Sequence, residues 1–328
     1  MECAVQEREQ DGKPARFWEA SPDGKVQCHL CNHHCRIMQT QTGRCGVRRN
    51  RSGTLMAETY GMVSAEAVDP VEKKPLYHFL PGTLSYSLGS IGCNFSCSHC
   101  QNWHISQPEG RTVSLRRIPP ETAVERAQDS GCASVSWTYN EPTLWYEYTS
   151  DMGRIARDSG LGTVYVTNGF MTLAALEDLA PALSAWRVDI KAFSDAFYRS
   201  VCQARLEPVL ESTIRAHERG LHIEIVTLII PGLNDSPDEI RALIDWVVEN
   251  TGPQTPVHFT RFHPDFRMQN REITPLRRLE KIWEQARDQG LHYPYIGNVP
   301  EHPYGNTYCP SCGGVVISRS GYRIDMRH

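Results

Sequence analysis

A chain of 328 residues with a formal net charge of −4 and an isoelectric point near 6.4 has room for one large α/β domain with appendages, or for two domains. Its charge offers no basic footprint for nucleic acid. It holds no run of about 18 apolar residues for a membrane span, and its first 25 residues lack the apolar core of a signal peptide, which predicts a cytoplasmic protein.

Twelve cysteines are many for such a compartment, where clustered thiols point to metal rather than to disulfides. Nine fall into three groups. In chain order the first is Cys28-x2-Cys31-x3-Cys35-x9-Cys45, with His29, His33 and His34 interleaved. Four local soft ligands predict a closed, saturated site, either zinc or an auxiliary iron–sulfur cluster. Cys3, Cys132 and Cys202 are scattered and read as plain small residues.

From residue 85 onward short β-rich runs alternate with helical patterns. The runs cover 85–91, 133–139, 162–168, 186–193, 222–230, 256–262 and 293–299. Residues 123–131 and 144–160 read as amphipathic helices, with Trp145, Tyr146 and Tyr148 as packing residues. In the stretch 236–252 the start signals Ser236 and Asp238 precede an apolar face of Ile240, Leu243, Ile244 and Val247, and Gly252 ends it. The stretch 274–290 repeats the pattern with Leu276, Leu279, Ile282, Trp283 and Ala286. Such alternation implies a parallel sheet. Its form is a full or partial (β/α) barrel, or a doubly wound open sheet; the pattern fits both.

In either form ligands gather at the C-terminal ends of the strands. The second cysteine group, Cys93-x3-Cys97-x2-Cys100, follows the first run and therefore lies at that end. Three thiolates with no fourth nearby would leave one iron of a [4Fe–4S] cube open for reaction. A zinc site completed by His99 or His104 is the alternative. Polar stretches follow the later runs: YNEP (139–142), TNGF (167–170), DIK (189–191), PGLND (231–235) and RFHPD (261–265). Taken singly, each has a plain explanation. Glu141 before Pro142 starts a helix, Asp189 and Lys191 form a surface pair, and His263 is a loop histidine. The third group, Cys309-x2-Cys312, looks like half of a zinc ribbon. Cys28 and Cys31 would complete it in a mixed site that leaves Cys35 and Cys45 unexplained, so the four-cysteine N-terminal site is preferred.

These motifs resemble the radical S-adenosylmethionine (SAM) enzymes, in the branch related to pyruvate formate-lyase activating enzyme, over residues 85–265. Across nearly the whole chain the resemblance is closest to the radical enzyme of the AmmeMemoRadiSam system. It implies a partial (β/α)6-type barrel over 81–299, a cysteine-rich metal-binding extension over 1–80 and a C-x2-C tail over 300–328. It implies that Cys93, Cys97 and Cys100 ligate three irons, and that SAM chelates the fourth. It also implies cofactor-binding roles for His99, Asn102, Asn140, Glu141, Asn168, Asp189, Lys191 and His263, with Glu141 on the methionyl ammonium. One electron from the reduced cluster would cleave the sulfonium C–S bond to methionine and a 5′-deoxyadenosyl radical, which abstracts hydrogen. The implied partners are SAM, an electron donor such as flavodoxin or ferredoxin, and either a small substrate or a glycine of a partner protein. A non-catalytic iron–sulfur or zinc electron-transfer protein is the reading of another class. Two departures stand out. Tyr139 and Asn140 replace the family's double glycine before Glu141, and Val166 and Thr167 stand where the activating enzymes often carry an aspartate.

Overall fold

The computed structural model describes residues 12–107 and 112–326. Cys3 and Arg111 lie outside them. Eight strands form the central sheet: β1 (Ala65–Pro70), β2 (Leu84–Gly89), β3 (Ser134–Trp137), β4 (Gly162–Thr167), β5 (Ala185–Asp189), β6 (His222–Ile229), β7 (Val257–Arg261) and β8 (Pro294–Gly297). Each strand pairs with its predecessor in sequence, so the order never reverses. A doubly wound sheet needs a reversal, and that alternative is excluded. Strands β2 to β8 run parallel, β1 joins β2 antiparallel, and β1 and β8 remain unpaired edges. The result is an open, partial barrel of six β/α units closed by a seventh parallel strand. Strand β1 belongs to this sheet, although residues 1–80 read as a separate extension.

The crossover helices are α1 (Pro120–Asp129), α2 (Tyr146–Asp158), α3 (Leu173–Leu179), α4 (Glu207–Glu218), α5 (Pro237–Asn250) and α6 (Leu276–Asp288). Their ends follow the sequence. The Ser236 hydroxyl caps α5 by accepting from the Glu239 amide, and Ile240, Leu243, Ile244 and Val247 are buried against the sheet. Trp145 stacks on Tyr148 within the core at 4.2 Å, as their spacing predicted. The strands stop earlier than the β-rich runs. Of the residues trimmed from their C-terminal ends, Thr138, Tyr139, Asn168, Lys191 and Asn298 line the site.

Two further pieces close the barrel. Residues 71–83 cross the N-terminal end of the sheet, where the Glu224 carboxylate of β6 accepts from the Tyr77 and His78 amides and from His222 and His258. Against this plug lies a C-terminal antiparallel sheet of Thr307–Tyr308, Val315–Ser320 and Arg323–Met326, whose Arg319 donates to the Tyr77 carbonyl. At the other end two small antiparallel sheets from residues 13–57 cover the strand-end loops. Asn32 donates to the Phe170 and Met171 carbonyls, and Arg48 forms a fully buried, two-pronged pair with Glu147 of α2.

Candidate active site

The loop after β2 begins with a glycine that nothing else can replace. Gly92 has φ +85°, and a Cβ there would meet the Cys45 carbonyl at 2.7 Å. Asn140 braces this turn from β3, accepting from the Ser90 amide at 2.9 Å and donating to the Gly92 carbonyl at 3.0 Å. Cys93, Cys97 and Cys100 then line one wall of a cavity of about 450 Å³. The Phe95 amide points at the Cys93 sulfur, 3.4 Å away. Burial, with the Glu141 carboxylate near, pushes the Cys93 thiol well up. Cys97 rises beside the buried Cys202 thiol, and burial raises Cys100. Buried thiols of this kind become ligands only when a metal replaces their protons.

Opposite them Glu141 sits at the strand end of β3, 3% exposed. Its Oε1 accepts from the Thr143 amide and hydroxyl and from the Thr167 hydroxyl. Its Oε2 accepts from the Asn168 amide at 2.8 Å. Burial raises this carboxyl despite the four donors. The expected ammonium-holding residue is thus also a knot between the ends of β3 and β4, and the helix-start reading holds as well, because it caps the turn Pro142–Trp145. The residue preceding Asn140 explains the missing double glycine. Tyr139 takes φ +72°, a costly conformation for a bulky residue, and is fixed by donating its hydroxyl to Asp69 while its carbonyl accepts from Asn102.

Asn168 donates to the Asn94 side chain at 2.7 Å and points toward the Cys93 sulfur at 3.8 Å. Val166 lines the cavity and the Thr167 hydroxyl is taken by Glu141, so no carboxylate replaces the family's aspartate there. On β5 and just past it, Asp189 accepts from Lys191 at 2.9 Å and from Arg187 at 2.7 Å. Burial opposes both charges, but the two cations hold the Asp189 carboxyl low and Asp189 keeps the Lys191 ammonium raised. They are an interior group, not a surface pair. His99 lines the same wall, 5% exposed; burial, with Lys191 near, lowers its imidazole to about 3, and its Nδ1 has no partner among the described residues.

One expected residue falls elsewhere. His263 is exposed beyond the end of β7 and does not line the cavity. Thr260 of β7 lines the cavity. Sequence reasoning missed Arg187, Thr143, Thr167, Asn94 and Cys202. Arg187 had a signal, since Arg187, Asp189 and Lys191 alternate along one strand; the others had none.

The N-terminal cysteines gather differently. Cys28, Cys31, Cys35 and Cys45 all line one small pocket of about 10 Å³ with Arg48 and Asn94, directly behind the Cys93 loop. Burial raises the Cys28 and Cys31 thiols and pushes Cys45 up to about 11. Cys28 and Cys31 therefore do not complete Cys309 and Cys312, which sit in the C-terminal sheet with Cys312 exposed; the mixed site is overturned. Among the described residues no group of three or more His, Cys, Asp or Glu side chains is placed to hold a single metal ion. That holds for the N-terminal cysteines and for Cys93, Cys97 and Cys100 alike. It does not count against a cube, whose irons each take a different thiolate.

The sequence model of the radical SAM superfamily matches residues 88–247. An uncharacterized protein of Methanocaldococcus jannaschii is 44% identical over 307 residues, covering 94% of this chain and 91% of that protein. A radical SAM methyltransferase from Sphaerobacter thermophilus shares the fold at TM-score 0.52 and 15% identity, covering 93% of this chain and 81% of that one. Streptococcus suis SuiB bound to S-adenosylmethionine gives TM-score 0.52 at 15% identity, over 70% of this chain and 53% of that one. No helix among the described residues is long and apolar enough to cross a membrane.

Proposed function

We propose that this chain is a radical SAM enzyme: residues 88–247 match the sequence model of that superfamily, whose cofactors are a [4Fe–4S] cluster and SAM, so that Cys93, Cys97 and Cys100 hold the cluster and the adjoining cavity holds SAM and a hydrogen-donating substrate. Bound there and reduced by a donor such as flavodoxin or ferredoxin, the cluster would supply one electron for reductive cleavage of SAM to methionine and a 5′-deoxyadenosyl radical able to take a hydrogen atom from the substrate.

The chain's own residues do the rest. The Phe95 amide and Asn168 offer N–H groups to the Cys93 sulfur, which favours the thiolate there. Glu141, with one Oε2 lone pair left after Asn168, offers that edge to the methionyl ammonium. Lys191 offers a cation to the methionyl carboxylate, and Asp189 keeps it charged. His99, neutral in this burial, presents a flat ring for adenine. The enclosing strands exclude water, which strengthens each of these charge contacts. The observation that carries the proposal is the meeting of three thiols with Glu141, Asn168, Asp189 and Lys191 around one cavity. An electron carrier has no use for that charged cavity.

We place the chain with the radical enzymes of the AmmeMemoRadiSam system, on the shared motifs around Cys28–Cys45, Cys93–Cys100 and Cys309–Cys312; genes of that system should adjoin its own. The chemical test is anaerobic reconstitution with iron and sulfide, followed by dithionite and SAM. The expected product is 5′-deoxyadenosine, absent from the Cys97→Ala variant. No product above a cluster-free control, or full activity in that variant, overturns the proposal.

A further inference from the structure

The reading above accounts for the thiol end of the cavity and leaves its other end unassigned. Arg187, Asp189 and Lys191 share one face of β5 and its continuation, but at different depths. Lys191 lies near the Cys97 thiol. The Arg187 backbone lies four residues earlier, roughly 13 Å away along an extended strand at about 3.3 Å per residue, in register with Val166 of β4 and Glu224 of β6, and its side chain reaches forward to meet Lys191 at Asp189. It lines the cavity at 7% exposure. Its Nη1 donates to Asp189, while its buried Nε has no partner among the described residues. A buried donor without an acceptor is costly, and in a cavity wall it marks a place for one.

The neighbouring carboxylates cannot supply it. Asp189 is shared with Lys191. Glu224, one strand over, already accepts from two amides and two histidines. Asp69 takes Lys73, Lys74 and the Tyr139 hydroxyl. The wall nevertheless carries four cations, Lys73, Lys74, Arg187 and Lys191, against the carboxylates of Glu141 and Asp189. Counting Asp69 behind the lysines still leaves positive charge in excess. Lys74, held by Asp69 at 2.8 Å, and Arg187 line the same cavity. Two buried cations that repel each other are stable together when an anion lies between them.

We propose that this deep end is an anion subsite, built on Arg187 with Lys74, that seats a carboxylate or phosphate of the substrate. It rests on the reading above only in assigning the thiol end to the cluster and SAM. A guanidinium fork matches either anion with two parallel hydrogen bonds, and anchoring that group holds the rest of the molecule toward the thiol end. The substrate class is therefore an acidic small molecule or acidic side chain.

The test is calorimetric titration of the reconstituted, SAM-loaded enzyme, in separate arms with inorganic phosphate and with succinate. The tighter arm identifies which anion the site prefers. Wild-type protein should show one saturable site of roughly millimolar affinity. Arg187→Leu should weaken it at least about tenfold. Arg187→Lys, which keeps the pair with Asp189 and so keeps the fold, should weaken it less. SAM affinity should change less than about threefold in Arg187→Lys. Absence of saturable binding in wild type overturns the subsite, as does wild-type binding by folded Arg187→Leu. Loss of SAM affinity in step with anion affinity would instead assign Arg187 to the SAM site. Anion binding through Arg187 in an enzyme that yields no 5′-deoxyadenosine would sink the functional proposal and leave the subsite standing; 5′-deoxyadenosine formation without anion binding would do the reverse.

Discussion

Replacing Glu141 with glutamine separates the two tasks assigned to that side chain. The change keeps the shape and removes the charge. An amide can still accept through one oxygen, and the orientation that preserves most bonds aims it at Thr143 and Thr167, which together give three. The new NH2 then faces the Asn168 amide, donor against donor, where a 2.8 Å bond had been. A charge-assisted bond is lost, about 1.5–3 kcal/mol, and a buried donor is stranded, about 1–3 kcal/mol. Relief from burying a carboxylate, whose proton affinity is already raised, offsets part of this. The expected net loss is about 2–4 kcal/mol, read from urea unfolding by tryptophan fluorescence. SAM affinity, measured by calorimetry, should fall by about one to two orders of magnitude from the lost ammonium contact. An unchanged urea midpoint would refute the knot between β3 and β4, whatever happens to SAM.

Other perturbations test other parts. Glu147→Gln leaves the Arg48 guanidinium, 1% exposed, without its charge partner; the loss should be about 3–5 kcal/mol, and a loss under about 1 kcal/mol would show that water reaches the pair. Cys31→Ser should speed hydrogen exchange across residues 26–50 while the central cluster's absorbance stays, because metal would order a segment with few large apolar side chains. Metal analysis of wild type decides that point: about one zinc, or about four irons beyond the central cluster, supports a metal role, and neither leaves four packed thiols. Stability should also fall between about pH 6.5 and 4. Burial lowers His78 to about 4, so in that window the unfolded chain binds the extra proton. Burial alone would raise Glu224, but His222 and His258 hold it well below the usual carboxylate range, and its contribution is lost as pH falls further. A flat profile down to pH 4 would show that the plug over residues 71–83 carries no such linkage.

The barrel was legible because period and spacing act locally. The face of α5, the seven β-rich runs and the Cys93–Cys100 loop all stand in short windows of sequence. What stayed hidden depends on register between distant segments. That Asp189 and Lys191 point inward follows from which face of β5 is buried, which one strand's alternation does not reveal. Tyr139 in place of glycine could not announce its left-handed turn, because Asp69, its stabilising partner, is seventy residues away. His263 is the opposite case: the motif was present, but the side chain is exposed beyond β7 and does not line the cavity. Strand β1 was missed because an antiparallel edge strand with mixed burial has no clean alternation.

The placement of the N-terminal sheets over the strand ends has a consequence for how the chain is made. A ribosome delivers residues 13–57 first, yet their anchors arrive much later. Lys13 pairs with Asp151, Arg16 with Asp178, Arg48 with Glu147, and Asn32 with Met171. Contacts between segments so far apart in sequence form slowly, and these cannot form until roughly half of the polypeptide has emerged. During that interval Cys28, Cys31, Cys35 and Cys45 are uncovered thiols in a nascent chain, open to metal and to oxidant. The cap closes behind the Cys93 loop only after α2 and α3 exist, so the order of translation leaves these thiols a period of access that the finished molecule narrows.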